Sequence, residues 1–318
     1  MARKKKIIIG IHGLANKPEK SVLARWWRES LVEGLDNVGM KKPDPPFEMI
    51  HWADLLYKNP VHRDELFNFD ALYNREPYVP AAPGTLVDYK DSWTDAVRSS
   101  LLDVGGGLLD KARAKFDSDT LGKWLLGKAM KDLAFYYDPE RRIGDRSKKP
   151  RLAREVLKDE LKSAVRKHKG KSIMIIAHSM GTIISYDVLR DLGRSKKAAD
   201  TGLEIARFVT IGSPLGLPYV KGKIDAERDY DKKNRVRTPT VVAGRWVNFA
   251  DPKDPVALDL RLRDDYLENK REVRVEDDLV KNDYHTVEDG EVCYNHHKSY
   301  GYLRTPELSR LVRDFLEG

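Results

Sequence analysis

The stretch Ser172-Ile173-Met174-Ile175-Ile176-Ala177-His178-Ser179-Met180-Gly181-Thr182-Ile183-Ile184 decides the fold. Ile173 to Ala177 is an unbroken apolar run, as expected of a parallel strand buried on both faces. It stops at His178-Ser179-Met180-Gly181, and a helical pattern begins at once. Ile184 and Val188 lie four apart, Ile183, Leu189 and Leu192 widen the apolar face, and Gly193 stands where a helix would end. A serine on so sharp a strand-to-helix turn is forced to the tip of a sheet with its hydroxyl exposed, which is how a nucleophile is presented. The turn crowds the positions two before and two after the serine, so both must be small. Ala177 and Gly181 meet that limit.

A serine hydroxyl is a poor nucleophile at neutral pH and needs a base to take its proton and a carboxylate to orient that base. On a strand-turn-helix of this kind the acid and then the histidine follow the serine in the chain. The acid candidates lie where Thr240-Val241-Val242-Ala243 leads through Trp246-Val247-Asn248-Phe249-Ala250 into Asp251-Pro252-Lys253-Asp254-Pro255. A loop just beyond a strand end is where parallel sheets build their sites. Asp254 is the first choice and Asp251 the second, against the reading that both only form turns. The base candidates are the adjacent His296 and His297; neighbouring side chains in a loop point different ways, so one of them is expected to reach Ser179, and His297 is preferred. A paired-histidine metal site is the rival reading, but no His-Glu-x-x-His or spaced Cys/His cluster accompanies it. His285 reads as a surface-loop histidine, Cys293 as a small buried filler, and Ser213, followed by proline, as part of a turn. The oxyanion of an acyl-transfer intermediate needs fixed backbone donors. Met180, at the start of the elbow helix, supplies one N–H. The strand Ile7-Ile8-Ile9-Gly10-Ile11, ending in His12-Gly13-Leu14, supplies the other from Leu14. His12 precedes the serine and reads as structural.

These residues together resemble the α/β-hydrolase superfamily, and within it the lipase- and esterase-like serine hydrolases. The matching pieces are Ile11-His12-Gly13-Leu14, Ala177-His178-Ser179-Met180-Gly181, Ile211-Gly212-Ser213-Pro214-Leu215-Gly216, Trp246-Val247-Asn248-Phe249 with Asp254-Pro255-Val256, and His297 followed by Tyr300. The resemblance implies a doubly wound, mostly parallel sheet, a Ser179–His297–Asp254 triad and oxyanion donors at Leu14 and Met180. It departs from the pattern in the alanine at the first elbow position and in lacking a counterpart to the opening antiparallel hairpin. The implied reaction is hydrolysis of a carboxylic ester through an acyl-enzyme on Ser179, with no metal or organic cofactor. A thioesterase or acyltransferase would use the same groups. A binding protein on a hydrolase scaffold is the alternative from another class.

The chain has 318 residues, enough for one large α/β domain with an elaboration. The expected division is an α/β-hydrolase core of 1–52 and 151–318 and a mostly helical cap or lid of 53–150. Helical patterns around 92–115 and 120–136 support the cap. Its Trp93, Trp124, Leu125, Leu126, Phe135, Tyr136 and Tyr137 are candidates either to line an acyl pocket or to fasten the cap to the sheet. Elsewhere the pattern predicts strands over 7–11, 47–52 and 206–211. It predicts helices over 21–35 (Ser21 as N-cap, Gly39 beyond the end), 152–168 and 306–316, and a β-ribbon over 272–294.

The content is 41% hydrophobic and 34% charged, which allows both a core and a solvated surface. The net charge of +8 is spread among acidic residues, as in Lys158-Asp159-Glu160-Leu161-Lys162. With no zinc knuckle, helix-turn-helix or aromatic-basic platform, it reads as surface and not as a nucleic-acid site. Peripheral attraction to an anionic membrane or an acidic substrate is its functional version. The opening Met-Ala-Arg-Lys-Lys-Lys carries no apolar signal region, no run approaches membrane-spanning length, and one cysteine excludes an internal disulfide. These point to a cytoplasmic enzyme acting on a small-molecule ester or lipid.

Overall fold

The computed structural model describes residues 4–14, 16–57, 59–60, 78–92, 133–144, 149–226, 236–288 and 290–318. Its centre is a six-stranded, all-parallel sheet. The strands in chain order are β1 (Lys6–Ile11), β2 (Phe47–Ile50), β3 (Ser172–His178), β4 (Ile205–Ile211), β5 (Val242–Ala250) and β6 (Val275–Leu279). Their order across the sheet is β2-β1-β3-β4-β5-β6. The order therefore reverses between β1 and β3, and that reversal is where doubly wound sheets open a crevice at their carboxyl edge.

Alternation within each strand serves both faces. Ile7, Ile9 and Ile11 of β1 and Ile173, Ile175 and Ala177 of β3 join one buried cluster. Ile8, Met174 and Ile176 join the other. The first face is covered by α2 (Ala153–Lys167) and α3 (Met180–Arg194), through side chains such as Leu157, Leu161, Ile184 and Val188. The second is covered by α1 (Lys20–Asn37) and α6 (Pro306–Glu317), through Trp27, Leu31, Leu308 and Val312. α4 (Pro218–Ala226) adds Val220 and Ile224 to the first cluster, and the short α5 (Ser299–Leu303) adds Tyr300, Tyr302 and Leu303 to the second. Each of these large apolar side chains contributes about 1.5–3 kcal/mol on burial, so neither face can be left uncovered.

Several expectations are corrected. α1 starts one residue earlier than expected, Glu19 stands at its N-cap, and no side-chain cap bond forms, so Ser21 lies inside the first turn. Gly39 does follow its end, at φ 84°. Gly193 lies within α3 and not beyond it. A Cβ there would stand 2.3 Å from Thr240 Oγ1, so the glycine serves a close approach and not a cap. The proposed ribbon over 272–294 divides in two. Val275–Leu279 pairs in parallel with β5 as the sheet's edge strand, and only β7 (His285–Glu288) and β8 (Glu291–Tyr294) form an antiparallel hairpin. Alternation marked strands correctly but carries no information about which partner a strand takes.

Within 53–150, the described residues include a helical stretch at 133–137. Tyr136 donates to Asp187 of α3 at 2.7 Å, and Arg154 bonds the same carboxylate. Tyr136 thus fastens this stretch to the sheet domain. Trp93, Trp124, Leu125, Leu126 and nearly all of the helical patterns around 92–115 and 120–136 lie outside the described residues, so the division into core and cap stands as an expectation. Among the described residues no helix is long and apolar enough to cross a membrane.

Candidate active site

The register aligns the strand ends. Ile11 pairs with Ala177, His178 with Ile211, and Ile211 with Phe249. The loops after β1, β3, β4 and β5 therefore open on one edge; Leu14, Ser179 and Asp254 sit on them, and His297 comes from the loop after β8.

Ser179 links β3 to α3 with φ 52° and ψ −125°, a left-handed backbone that a residue with a side chain adopts only under constraint. Its N–H donates to Ile211 O at 3.1 Å, and Thr182 Oγ1 donates back to its carbonyl at 2.7 Å. The small residues around it are dictated by contact. A Cβ on Gly181 would stand 2.6 Å from His12 O, and one on Gly13 would stand 2.7 Å from Ser179 Cβ.

His297 Nε2 lies 3.0 Å from Ser179 Oγ, and its Nδ1 lies 2.9 Å from both Oδ1 and Oδ2 of Asp254. All three side chains are buried. With Nδ1 donating to the carboxylate, the imidazole carries its proton there and leaves Nε2 as the acceptor for the serine hydroxyl. Asp254 also accepts the Val256 N–H at 2.8 Å and the Tyr302 hydroxyl at 2.7 Å. Gly212, at φ 53°, leaves room for this pair: a Cβ there would stand 2.8 Å from Asp254 Oδ2 and 3.1 Å from His297 Nδ1.

The second choices stand one layer back. Asp251 accepts the N–H of Lys253 at 2.6 Å and of Asn282 at 2.5 Å, and burial pushes its carboxyl up to about 7. His296 Nδ1 donates to Asn282 O at 2.8 Å and is 3.9 Å from Asp251. Burial holds this imidazole below its usual range. The structure brings Ser179, His297 and Asp254 together, and it brings neither Asp251 nor His296 within bonding distance of Ser179.

Leu14 and Met180 border the same space. Leu14, Leu133, Met180, Pro214, Leu217 and Val256 join Ser179 around a small apolar pocket that opens to solvent. Leu133 comes from the fastened helical stretch. Phe135, Tyr136 and Tyr137 do not line this pocket. Ser213 sits in a turn, as expected: its hydroxyl accepts the Leu215 N–H at 3.2 Å and donates to Thr182 at 2.9 Å. Cys293 is half-buried on the hairpin and fills no core. His285 opens β7 and bonds Asp283 O, so it belongs to a strand and not a loop.

Three supporting residues escaped the sequence reading. His178 Nε2 donates to the His297 carbonyl at 2.8 Å, and the two rings stand 4.6 Å apart. Burial, then the neighbouring His297, holds His178 neutral, well below the usual range. Asn282 Nδ2 donates to the carbonyls of His296 and Lys298 at 2.7 and 3.0 Å, which pins the histidine loop from both sides. Tyr302 spans Asp254 and the Asp251 N–H, which it accepts at 3.0 Å. Only His178, beside the serine in the elbow, carried any signal in the sequence.

Residues 141–214, covering α2, β3, the elbow, α3 and β4, match the family model described as alpha/beta hydrolase of unknown function (DUF900). The chain has the α/β-hydrolase fold. No curated protein is significantly similar to it in sequence. Among solved structures, one described as "Putative hydrolase" from Agrobacterium vitis S4 is similar at 14% identity, over 58% of this chain and 80% of that one, with a TM-score of 0.30. Assignment as an α/β-hydrolase rests on the sheet order, the elbow and the family match, not on that likeness. The matched segment holds Ser179 but neither Asp254 nor His297, which come from the loop after β5 and the loop after the hairpin.

Proposed function

We propose that this α/β-hydrolase cleaves carboxylic esters through an acyl-enzyme on Ser179. The observation that carries the reading is the chain of contacts from Ser179 Oγ to His297 Nε2 at 3.0 Å and from His297 Nδ1 to Asp254 at 2.9 Å. Nucleophile, base and orienting acid are thereby in series, in a buried setting where such bonds are strong.

As Ser179 Oγ attacks the ester carbonyl carbon, its proton passes to His297 Nε2. Asp254 holds the tautomer and offsets the positive charge that forms on the ring. The carbonyl oxygen becomes an oxyanion, for which the N–H groups of Leu14 and Met180 are the donors. Collapse breaks the bond to the leaving oxygen, which takes the proton from His297. Water then gives a proton to His297, attacks the acyl carbon, and the carboxylic acid departs as Ser179 recovers its proton. The pocket lined by Leu133, Met180, Leu217 and Val256 suits an apolar acyl group, as in a small ester or a lipid.

The test is covalent labelling with a fluorophosphonate, followed by rates on p-nitrophenyl esters of increasing chain length. The adduct should map to Ser179. Ser179→Ala and His297→Ala should each lose several orders of magnitude in turnover while folded, and His296→Ala should keep most of its activity. An unlabelled folded protein overturns the proposal, and full activity in His297→Ala would move the base elsewhere.

A further inference from the structure

The backbone around His297 is held largely by side chains. The His297 N–H donates to Asn295 Oδ1 at 3.1 Å. The carbonyls on either side, of His296 and Lys298, both accept from Asn282 Nδ2. The carbonyl of His297 itself accepts from His178 Nε2 at 2.8 Å. Three consecutive carbonyls thus end on side chains from outside the loop. A histidine whose backbone was free to shift would not hold Nε2 at 3.0 Å from Ser179 Oγ.

These anchors differ in where they stand. Asn282 lies between β6 and β7, and Asn295 follows β8. His178 is the last residue of β3, next to Ser179 in the chain. The elbow and the histidine loop are therefore joined twice. One link is the Ser179–His297 contact, which breaks and re-forms as the proton moves. The other is the His178–His297 bond, which takes no part in proton transfer.

The seat of this ring is built into the elbow. His178 pairs with Ile211 in the sheet, which fixes its backbone. The ring is buried, 4.6 Å from that of His297 and 6.5 Å from that of Tyr302. A Cβ on Gly13 would stand 2.9 Å from His178 Nδ1, so the glycine leaves room for the ring. A carbonyl can only accept, so the neutral ring carries its proton on Nε2. Burial, then the neighbouring His297, keeps the ring neutral. It therefore donates one bond without setting a charge against the imidazolium that forms at His297.

Resting on the acyl-enzyme reading, we infer that His178 is a positioning residue for the base: its Nε2–H fixes the His297 backbone relative to the elbow and so sets the distance over which the Ser179 proton moves. It touches no reacting atom and acts through His297. A misplacement of about 1 Å costs roughly a hundredfold in rate. Asn282 limits how far the loop can move once the bond from His178 is lost.

The experiment follows p-nitrophenyl butyrate hydrolysis by His178→Leu, which fills the site but cannot donate, and by His178→Gln, whose amide nitrogen can donate in place of Nε2. His178→Leu should lower kcat roughly tenfold to a hundredfold with KM little changed, and His178→Gln should recover most of that loss. In a His297→Ala background, His178→Leu should lower the residual rate no further, because nothing is left to position. Should the variants fail to fold, NMR of the otherwise unmodified protein with 15N-labelled histidine decides the matter. The ring in contact with those of His297 and Tyr302 should carry its proton on Nε2, and a proton on Nδ1 alone overturns the inference. Full kcat in folded His178→Leu, or an equal further loss in the His297→Ala background, also overturns it and leaves the acyl-enzyme reading standing. Absence of hydrolysis by the unmodified protein together with an unlabelled Ser179 overturns both.

Discussion

Tyr302→Phe isolates the strut behind Asp254. The hydroxyl donates to Asp254 Oδ2 at 2.7 Å and accepts the Asp251 N–H at 3.0 Å, and both carboxylate residues are buried. Removing the oxygen deletes a bond to a buried carboxylate, worth about 1.5–3 kcal/mol, and orphans a buried N–H at a cost of about 1–3 kcal/mol. The ring remains, so little cavity opens. Allowing for local relaxation, the fold should lose about 3 kcal/mol. Turnover should suffer less. Asp254 keeps the Val256 N–H at 2.8 Å and both oxygens on His297 Nδ1 at 2.9 Å, so the imidazole stays anchored. On p-nitrophenyl butyrate, kcat should fall about tenfold, equivalent to ~1.4 kcal/mol, with KM little changed. Asp254→Asn, by contrast, should cost about 10⁴-fold by presenting the wrong tautomer. Urea unfolding and steady-state rates on the same preparations measure both effects. An unmoved unfolding midpoint would show that the hydroxyl is not bonded in the fold. A kcat loss equal to that of Asp254→Asn would refute its role as a strut, because the imidazole would then depend on Tyr302 directly.

Two further outcomes follow from the backbone and from buried acids. Ser179 sits at φ 52°, strain worth on the order of 1–3 kcal/mol, so Ser179→Gly should unfold at higher urea than Ser179→Ala, by about 1 kcal/mol after glycine's entropic penalty. Equal midpoints would mean the turn is unstrained. Burial pushes Asp251, Asp259 and Glu307 up to about 7, against about 4 for these groups in an unfolded chain. Between roughly pH 4 and 7 the folded chain therefore holds more protons than the unfolded one, and stability should fall as pH rises through that window and level off above it. Urea midpoints at several pH values check this, and a midpoint that rises from pH 5 to pH 7 would contradict it.

The parts of the site that were legible in the sequence are those where a local constraint leaves a local mark. A strand buried on both faces must be uniformly apolar, so β1 and β3 were plain, and the turn at Ser179 must be flanked by small residues, so the elbow was plain. Asp254 and His297 were legible only as choices between neighbours. Asp251 and Asp254 both follow β5, and nothing local distinguishes the one that faces Nδ1 from the one that faces Asn282. Tyr302 and Asn282 were invisible, because their roles are fixed by partners remote in the chain: Asp254 for the tyrosine, the carbonyls of 296 and 298 for the asparagine. β6 was read as part of a ribbon because alternation looks alike in a parallel edge strand and a hairpin arm. Leu133 went unnamed for a related reason: its place beside Ser179 depends on Tyr136 bonding Asp187 in α3.

The two-sided character of the site follows from the reversal in strand order. β1 and β3 are neighbours, yet the helices that follow them leave for opposite faces: α1 joins the cluster holding Ile8 and Met174, and α3 joins the one holding Ile9 and Ile175. The site between them therefore borders both clusters. On the α3 face it is walled by Leu133, Met180 and Leu217, which are apolar. On the α1 face it is walled by Leu23, Trp27, His12, Lys17 and Lys298. Ser179 and His297 stand at the divide. A topology that separates the walls keeps the side chains around the apolar pocket apart from those beside His297. Their effects should combine additively, because the two sets share only Leu14.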